Sequence, residues 1–401
     1  MSSNLLNDPD KHDETWTDNE IDAELRRQVE LGYPVAFCLG TDGGSKIIET
    51  LLEVKLTRPV PIQVNAGPMD SLQGPLKINR DLIKLALEGK IWLYFHLPLV
   101  FNMFLPLDKE QVKWETDVYR QGLAEAYIKY ITNLLKDYNL ACEEIGGSGS
   151  HYNINTGLVV HGGIPHWPGQ LVNSNENKSK GIVHTLGGAA LGKLYVPAEK
   201  SSLKEWQVFR ARYWSNLDLI FGKLLESYGG LIRLLIENGV GTDKAPLPVN
   251  NISWIGNEII GQAFFEKIGQ EKFYNFGLCW DTEHSFGAGE SFSECLEQGF
   301  IENIDLIHLN GAPSNVSYGS RKDLHNYTSL SKSLEAGTLR LTEKHLVDLV
   351  RSGKPLIYER EHYSLMLEDS KWLGSMSNKK ADKVIDKEKI ISNEASKASV
   401  F

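Results

Sequence analysis

Asp281 and His284 follow a short apolar run, Leu278 to Trp280, and two glycines come next at Gly287 and Gly289. The run is typical of a buried strand, so the acid and the imidazole are expected to emerge together at its C-terminal end. Carboxylate oxygens and imidazole nitrogens are ligands of zinc and related metals, and a catalytic metal site leaves a position open for water. The sequence therefore predicts metal-dependent chemistry at this strand end.

Other short apolar runs end in the same way, on a residue that can bind a metal. Taken singly, each such residue is more often a hydrogen-bonded structural histidine or a carboxylate at a helix start. Jointly they favour cations, because burying four carboxylates together without positive charge would be prohibitive. An Asp-Leu-His pair adds two candidates, because residues two apart share one face of an extended segment. The candidate ligands are His96, His161, Glu258, Asp281, His284, His308, Asp323, His325 and Glu359.

The elements that must position these residues alternate between strand and helix from Tyr33 onward. This alternation predicts parallel strands with right-handed crossovers, and eight strands predict a TIM (β/α)8 barrel. Long loops at Glu143–Thr156 and Gly162–Ser202 are predicted around the fourth strand, and Ser202–Gly239 is predicted to be helical. The predicted strands are Pro34–Leu39, Val60–Asn65, Ile91–Phe95, Gly157–His161, Asn251–Glu258, Gly277–Asp281, Asp305–Leu309 and Pro355–Glu359.

Length and composition set the boundaries of the chain. Residues 1–32 are predicted to be an N-terminal surface extension, 33–375 the barrel, and 376–401 a disordered tail rich in Lys, Asp, Ser and Asn. No apolar run of membrane-spanning length and no signal peptide is seen, so an intracellular, non-secreted protein, cytoplasmic or nuclear, is expected. The four cysteines are far apart and are expected to be reduced core residues.

The net charge of -10 argues against a polybasic nucleic-acid binder but allows a local positive site. About three bound Zn²⁺ would concentrate positive charge in one cleft, where it could meet a phosphate.

Several segments together give the chain a resemblance to a known family. It resembles the endonuclease IV family of apurinic/apyrimidinic endonucleases, within the xylose-isomerase-like TIM barrels, over about Tyr33 to Trp372. The segments that carry the resemblance are His96-Leu97-Pro98 with Asn102, Val159 to Gly163, Asn257-Glu258 with Gly261-Gln262, Asp281 to His284, His308-Leu309-Asn310, Gly319-Ser320 leading to Asp323-Leu324-His325, and Pro355 to Glu359.

The resemblance implies a monomeric hydrolase that nicks damaged double-stranded DNA 5′ to an abasic site in base excision repair. It implies about three zinc ions, with manganese as an alternative metal, and no organic cofactor or membrane. Glu258, Asp281 and Glu359 would serve catalysis. The implied ligand sets are His96, His161 and Glu258 for the first zinc, Glu258, Asp281, His308 and Glu359 for the second, and His284, Asp323 and His325 for the third.

The chain departs from the family mainly where DNA would be read. The loop after the second strand has no Arg between Val60 and Asn79, and Leu99 stands where the family has Tyr. The order Asn257-Glu258 also reverses the family's Glu-Asn, so Glu258 is expected to face the metals only if the strand bulges or ends one residue late. Two alternatives therefore stay open: a sugar isomerase or epimerase on the same barrel, and a catalytically weak DNA-binding or structural homologue.

Overall fold

The computed structural model describes most of the barrel, and part of the chain lies outside the described residues. The described residues are 16–40, 44–66, 77–98, 116–146, 156–161, 166–173, 193–197, 218–222, 224, 227, 233–238, 276–288, 301, 304–318, 328–360 and 362–378. Within them lie ten strands: β1 (Phe37–Leu39), β2 (Val60–Asn65), β3 (Ile91–His96), β4 (Gly157–His161), β5 (His166–Asn173), β6 (Lys193–Pro197), β7 (Arg233–Glu237), β8 (Phe276–Asp281), β9 (Leu306–His308) and β10 (Leu356–Ile357).

Eight of these strands form one parallel sheet in the order β1-β2-β3-β4-β7-β8-β9-β10. The sheet curls into a nearly closed barrel, since β10 also contacts β2 and the Tyr358 hydroxyl donates to the Pro34 carbonyl at 2.7 Å. Strands such as Ile91–His96 are apolar on both faces because the helix layer covers one face and the barrel interior the other. The predicted TIM barrel is confirmed.

The helices follow their strands as a barrel requires. Their apolar residues recur at helical spacing and pack on the sheet, as Ile47, Ile48 and Leu51 do in the second helix. They are α1 (Asp18–Glu30), α2 (Ser45–Glu53), α3 (Arg80–Leu87), α4 (Thr116–Gly146), α5 (Thr282–Ala288), α6 (Leu330–Ala336), α7 (Glu343–Arg351) and α8 (363–378), with a short π-helix at Asp218–Gly222.

The fifth barrel strand differs from its prediction. The place between β4 and β8 is taken by β7, Arg233–Glu237, and not by residues 251–258. The prediction of a helix over Ser202–Gly239 is therefore wrong at its C-terminal end. The apolar run Leu234 to Ile236 fits a helix as well as a buried strand, and hydrophobic periodicity cannot separate the two over so few residues.

The long segment predicted as a loop between Gly162 and Ser202 contains regular structure. Its strands β5 and β6 pair in antiparallel fashion, with Leu171 opposite Tyr195, and they form a ribbon separate from the barrel sheet.

Helix α1 belongs to the barrel layer, although the sequence suggested a surface extension there. Its Leu25 is fully buried in the main hydrophobic core, together with Ile21 and Val29. The Gln28 side chain donates to the Leu367 carbonyl of α8 at 2.8 Å. Thr17 and Glu20 form a capping box that fixes where the helix begins.

Near the other end of the chain, α8 runs to residue 378 and so continues past the predicted start of the tail at 376. The rest of that predicted tail lies outside the described residues. No helix in the described ranges is long and apolar enough to cross a membrane.

The packing of α1 predicts that Leu25→Ala will lower the free energy of unfolding by about 2–5 kcal/mol, because it opens a cavity in the core. The matched control is Leu31→Ala, since Leu31 follows the same helix and is 48% exposed. Chemical denaturation of both variants measures the difference. Equal losses in the two variants would contradict the assignment of α1 to the core.

Candidate metal centre

Four strand ends and one adjacent residue bring metal-binding side chains to one rim of the barrel. His96, Glu237, Asp281 and His308 are the last residues of β3, β7, β8 and β9, and Glu359 lies just beyond β10. All five side chains are buried. Because parallel strands point the same way, their C-terminal ends converge, as at the active sites of α/β barrels.

Glu237 lies at the centre of this group. Its Oε2 is 3.1 Å from His96 Nε2, and its Oε1 is 2.9 Å from His308 Nδ1. The same Oε1 lies 3.4 Å from His284 Nδ1. A single buried carboxylate therefore lies beside three histidines, two from the ends of β3 and β9 and one from the first turn of the helix that follows β8.

His308 Nδ1 faces carboxylates from three residues. Glu359 Oε2 lies at 3.1 Å and Asp281 Oδ2 at 3.9 Å, in addition to Glu237. Glu237, Asp281, His308 and Glu359 each offer one ligand atom, and these atoms all lie within 4.8 Å of one another. Three carboxylates and one imidazole form a donor set that suits zinc or manganese.

The electrostatics of His308 reflect this crowding of acidic groups. Burial by itself lowers the pKa of the imidazole, but the neighbouring Cys279, Glu359 and Glu237 raise it well above its usual range. Burial raises the pKa of the Cys279 thiol well above its usual range. Cys279 Sγ also belongs to a possible ligand group with Glu237 and His308.

The second ring nitrogen of His96, Nδ1, already has a hydrogen-bond partner. His96 Nδ1 lies 3.1 Å from the Leu97 carbonyl, which can only accept, so this nitrogen carries a proton. In the neutral imidazole, Nε2 then turns a lone pair toward the Glu237 carboxylate. That contact is repulsive unless the ring takes a second proton or a cation lies between the two groups. The geometry of His96 therefore fits a metal ligand.

His284 is fixed by the turn that leads into α5. Asp281 Oδ1 accepts from the His284 backbone N–H at 2.7 Å, which is the usual capping contact at a helix start. The ring Nδ1 lies 2.7 Å from the Asn238 carbonyl, so Nδ1 donates and Nε2 is the nitrogen with metal-binding capacity.

Two buried asparagines that were not among the predicted site residues hold the acidic residues in place. Asn310 Nδ2 donates to Asp281 Oδ2 at 2.6 Å and to Glu359 Oε2 at 3.3 Å, while its Oδ1 accepts from the Glu359 backbone at 3.0 Å. Asn238 pairs with the backbone of Asp281, accepting from its N–H at 2.6 Å and donating to its carbonyl at 3.0 Å. Such amides can link several carboxylates because they are uncharged.

The predicted ligands fall into two groups. The structure brings together His96, Asp281, His284, His308 and Glu359. The β4 backbone ends at His161 as predicted, but the His161 side chain lies outside the described part of the chain. Glu258, Asp323 and His325 also lie outside it.

Glu237 was not among the predicted ligands, although its sequence has the same pattern as theirs. Leu234-Leu235-Ile236 is a short apolar run that ends on an acid, and Asn238 follows it. The pair Glu237-Asn238 has the Glu-Asn order of the resembled family, which Asn257-Glu258 reverses.

Comparison with known proteins does not assign an activity. No protein-family model and no curated protein matches the chain. Similar solved structures include endonuclease IV from Thermus thermophilus, at 15% identity over 86% of this chain and 98% of that one, with a TM-score of 0.44. A xylose isomerase domain protein from Planctomyces limnophilus has 14% identity, coverage of 87% and 98%, and a TM-score of 0.41. L-ribulose 3-epimerase has 11% identity, coverage of 87% and 96%, and a TM-score of 0.43.

The contacts of Asn310 predict a specific loss of stability in Asn310→Asp. The new carboxylate cannot donate to Asp281 and Glu359 and adds a negative charge beside them, so unfolding should require about 1–3 kcal/mol less. Denaturation at neutral pH with a chelator present measures this without a metal contribution.

Asn139→Asp is the matched control, because Asn139 donates to Glu143 in an exposed helical contact at 2.8 Å. Its effect should stay within about 0.5 kcal/mol. An Asn310→Asp protein as stable as this control would show that the amide does not hold the two carboxylates.

Proposed function

We propose that this chain is a zinc-dependent endonuclease that hydrolyses the DNA phosphodiester 5′ to an abasic site. The observation that carries the proposal is the position of Glu237, whose two carboxylate oxygens face ring nitrogens of different histidines, His96 and His308. A carboxylate in this position can be shared by two cations. Pairs of cations are a common arrangement in enzymes that cleave phosphodiesters.

The proposal assigns ligands to about three zinc ions, with Glu237 as the bridging residue in place of Glu258. The rest of the predicted set is retained, including the residues outside the described part. His96, His161 and Glu237 would hold the first ion, Glu237, Asp281, His308 and Glu359 the second, and His284, Asp323 and His325 the third. Zinc bound there would supply an acidified water and positive charge for the phosphate.

The protein's own residues contribute rigid placement and exclusion of bulk water. Each oxygen of Asp281 has a separate role, because Oδ1 accepts from the His284 backbone and Oδ2 faces Asn310 and His308. Its backbone is fixed by Asn238. Ligands held in this way keep their geometry when charge develops on the substrate, so little reorganisation is needed during the reaction.

A sugar isomerase or epimerase is the second candidate. It is favoured by the completeness of the four-residue group Glu237, Asp281, His308 and Glu359, which could hold a single ion without further ligands. Such an enzyme would leave His96 without a ligand role. The contact of His96 with the second oxygen of Glu237 therefore favours the endonuclease.

The first prediction from this proposal concerns metal content. Glu237→Gln should lower zinc from about three ions per chain to about one, because a neutral amide cannot bridge two dications. Elemental analysis of purified protein measures the content, and Glu258→Gln is the control that should keep wild-type zinc. The opposite ranking would return the bridge to Glu258, and wild-type protein with at most one ion would contradict the multinuclear site.

The second prediction concerns the reaction. The wild-type protein should nick a duplex with a single abasic site on its 5′ side and leave a 3′-hydroxyl, and Glu237→Gln should nick at below about one hundredth of that rate. Gel analysis of an end-labelled duplex gives the product and the rate. A protein that interconverts ketoses and aldoses and leaves abasic DNA intact would be the isomerase. A protein that binds zinc but has neither activity would be the weak homologue.

A further inference from the structure

Gln63 is a buried amide in the middle of β2 that lies between two of the proposed zinc ligands. Its side chain is completely buried in the apolar run Val60 to Asn65. Its Oε1 is 2.7 Å from His308 Nε2, and its Nε2 is 2.5 Å from Glu359 Oε1. Burying an amide costs free energy unless it is hydrogen-bonded, so these hydrogen bonds offset the cost of placing Gln63 in this strand.

The orientation of the amide follows from the chemistry of its neighbours. An ionised Glu359 carboxylate can only accept hydrogen bonds, so the NH₂ group of Gln63 must face it. The carbonyl oxygen of Gln63 then faces His308. Because that oxygen can only accept, His308 Nε2 must carry the proton.

Two consequences follow for the metal centre. With the proton on Nε2, His308 binds a metal through Nδ1, and Nδ1 is the nitrogen that faces Glu237 Oε1 at 2.9 Å and Glu359 Oε2 at 3.1 Å. With Oε1 of Glu359 engaged by Gln63, Oε2 is the oxygen directed toward the other ligands. One side chain therefore selects both the nitrogen of His308 and the oxygen of Glu359.

We propose that Gln63 is a positioning residue that directs His308 Nδ1 and Glu359 Oε2 to the second zinc. This rests on the zinc centre of the proposed function but not on the identity of the substrate. Hydrogen bonds of this kind orient metal ligands and typically contribute about 10–100-fold to metal affinity.

Zinc affinity tests the role directly. Gln63→Leu removes the hydrogen bonds to His308 and Glu359, together with a weak contact to Cys38 Sγ at 3.8 Å. At least one zinc should therefore bind about 10–100-fold more weakly in competition with a chromophoric chelator. The matched control is Gln28→Leu, the same change at an equally buried amide whose side chain donates to Glu24 and Leu367. It should leave zinc affinity unchanged. Wild-type zinc affinity in Gln63→Leu would overturn the proposal.

The protonation of the ring gives a second measurement that does not depend on activity. Zinc-loaded protein labelled with ¹⁵N-histidine should show His308 with a protonated Nε2 and the metal on Nδ1 in long-range ¹H–¹⁵N spectra. The signal is assigned by its absence in His308→Gln. Zinc on Nε2 of the wild-type protein would overturn the role of Gln63, even if Gln63→Leu did not fold.

The outcomes separate this inference from the proposed function. A protein that carries zinc on His308 Nδ1 but does not nick abasic DNA supports the role of Gln63 and removes the endonuclease. A protein that nicks abasic DNA but carries zinc on His308 Nε2 supports the endonuclease and overturns the role of Gln63. A wild-type protein that binds no zinc would overturn both.

Discussion

The burial of several carboxylates around one imidazole is the constraint on which the site depends. Glu237, Asp281 and Glu359 all approach His308 Nδ1 in a region closed to solvent. Negative charges this close are strongly unfavourable in a low-dielectric interior unless positive charge is supplied. A protonated His308 offsets part of this repulsion, and a divalent cation would offset more. The rim of the barrel is thus built around a position that favours a cation.

Neutral amides make this arrangement rigid without adding charge. Asn238, Asn310 and Gln63 come from three different segments, and each contacts one or two of the acidic residues or the histidine that they surround. Amides offer both donors and acceptors, so Asn310 and Gln63 each contact a carboxylate on one side and a backbone or ring group on the other, while Asn238 pairs with the Asp281 backbone. The placement of the acidic residues and of His308 is therefore determined by neutral residues beside them.

The strand ends were predictable where an apolar run stops at a turn or a polar residue. The bounds predicted for Val60–Asn65 and Gly157–His161 agree with β2 and β4. Glu237 was missed because its apolar run follows a segment with helical periodicity, and only the barrel pairing of β7 with β4 and β8 identifies it as a strand. Gln63 could not be predicted either, since a single amide in a buried strand gives no sign of its partners. Those partners lie in β9 and beyond β10, which the chain brings next to β2 only when the barrel closes.

The contact between α1 and α8 also constrains how the chain can fold during its synthesis. Gln28 and Leu367 are 339 residues apart in sequence, yet they form one buried hydrogen bond. At about 5–20 residues per second, translation needs roughly 17–70 s to cover that distance. The Gln28 side chain therefore stays without this acceptor while most of the barrel is being made. Helix α1 can pack on neighbours that are made early, such as α2, but its contact with α8 is completed only when the end of the barrel has been made.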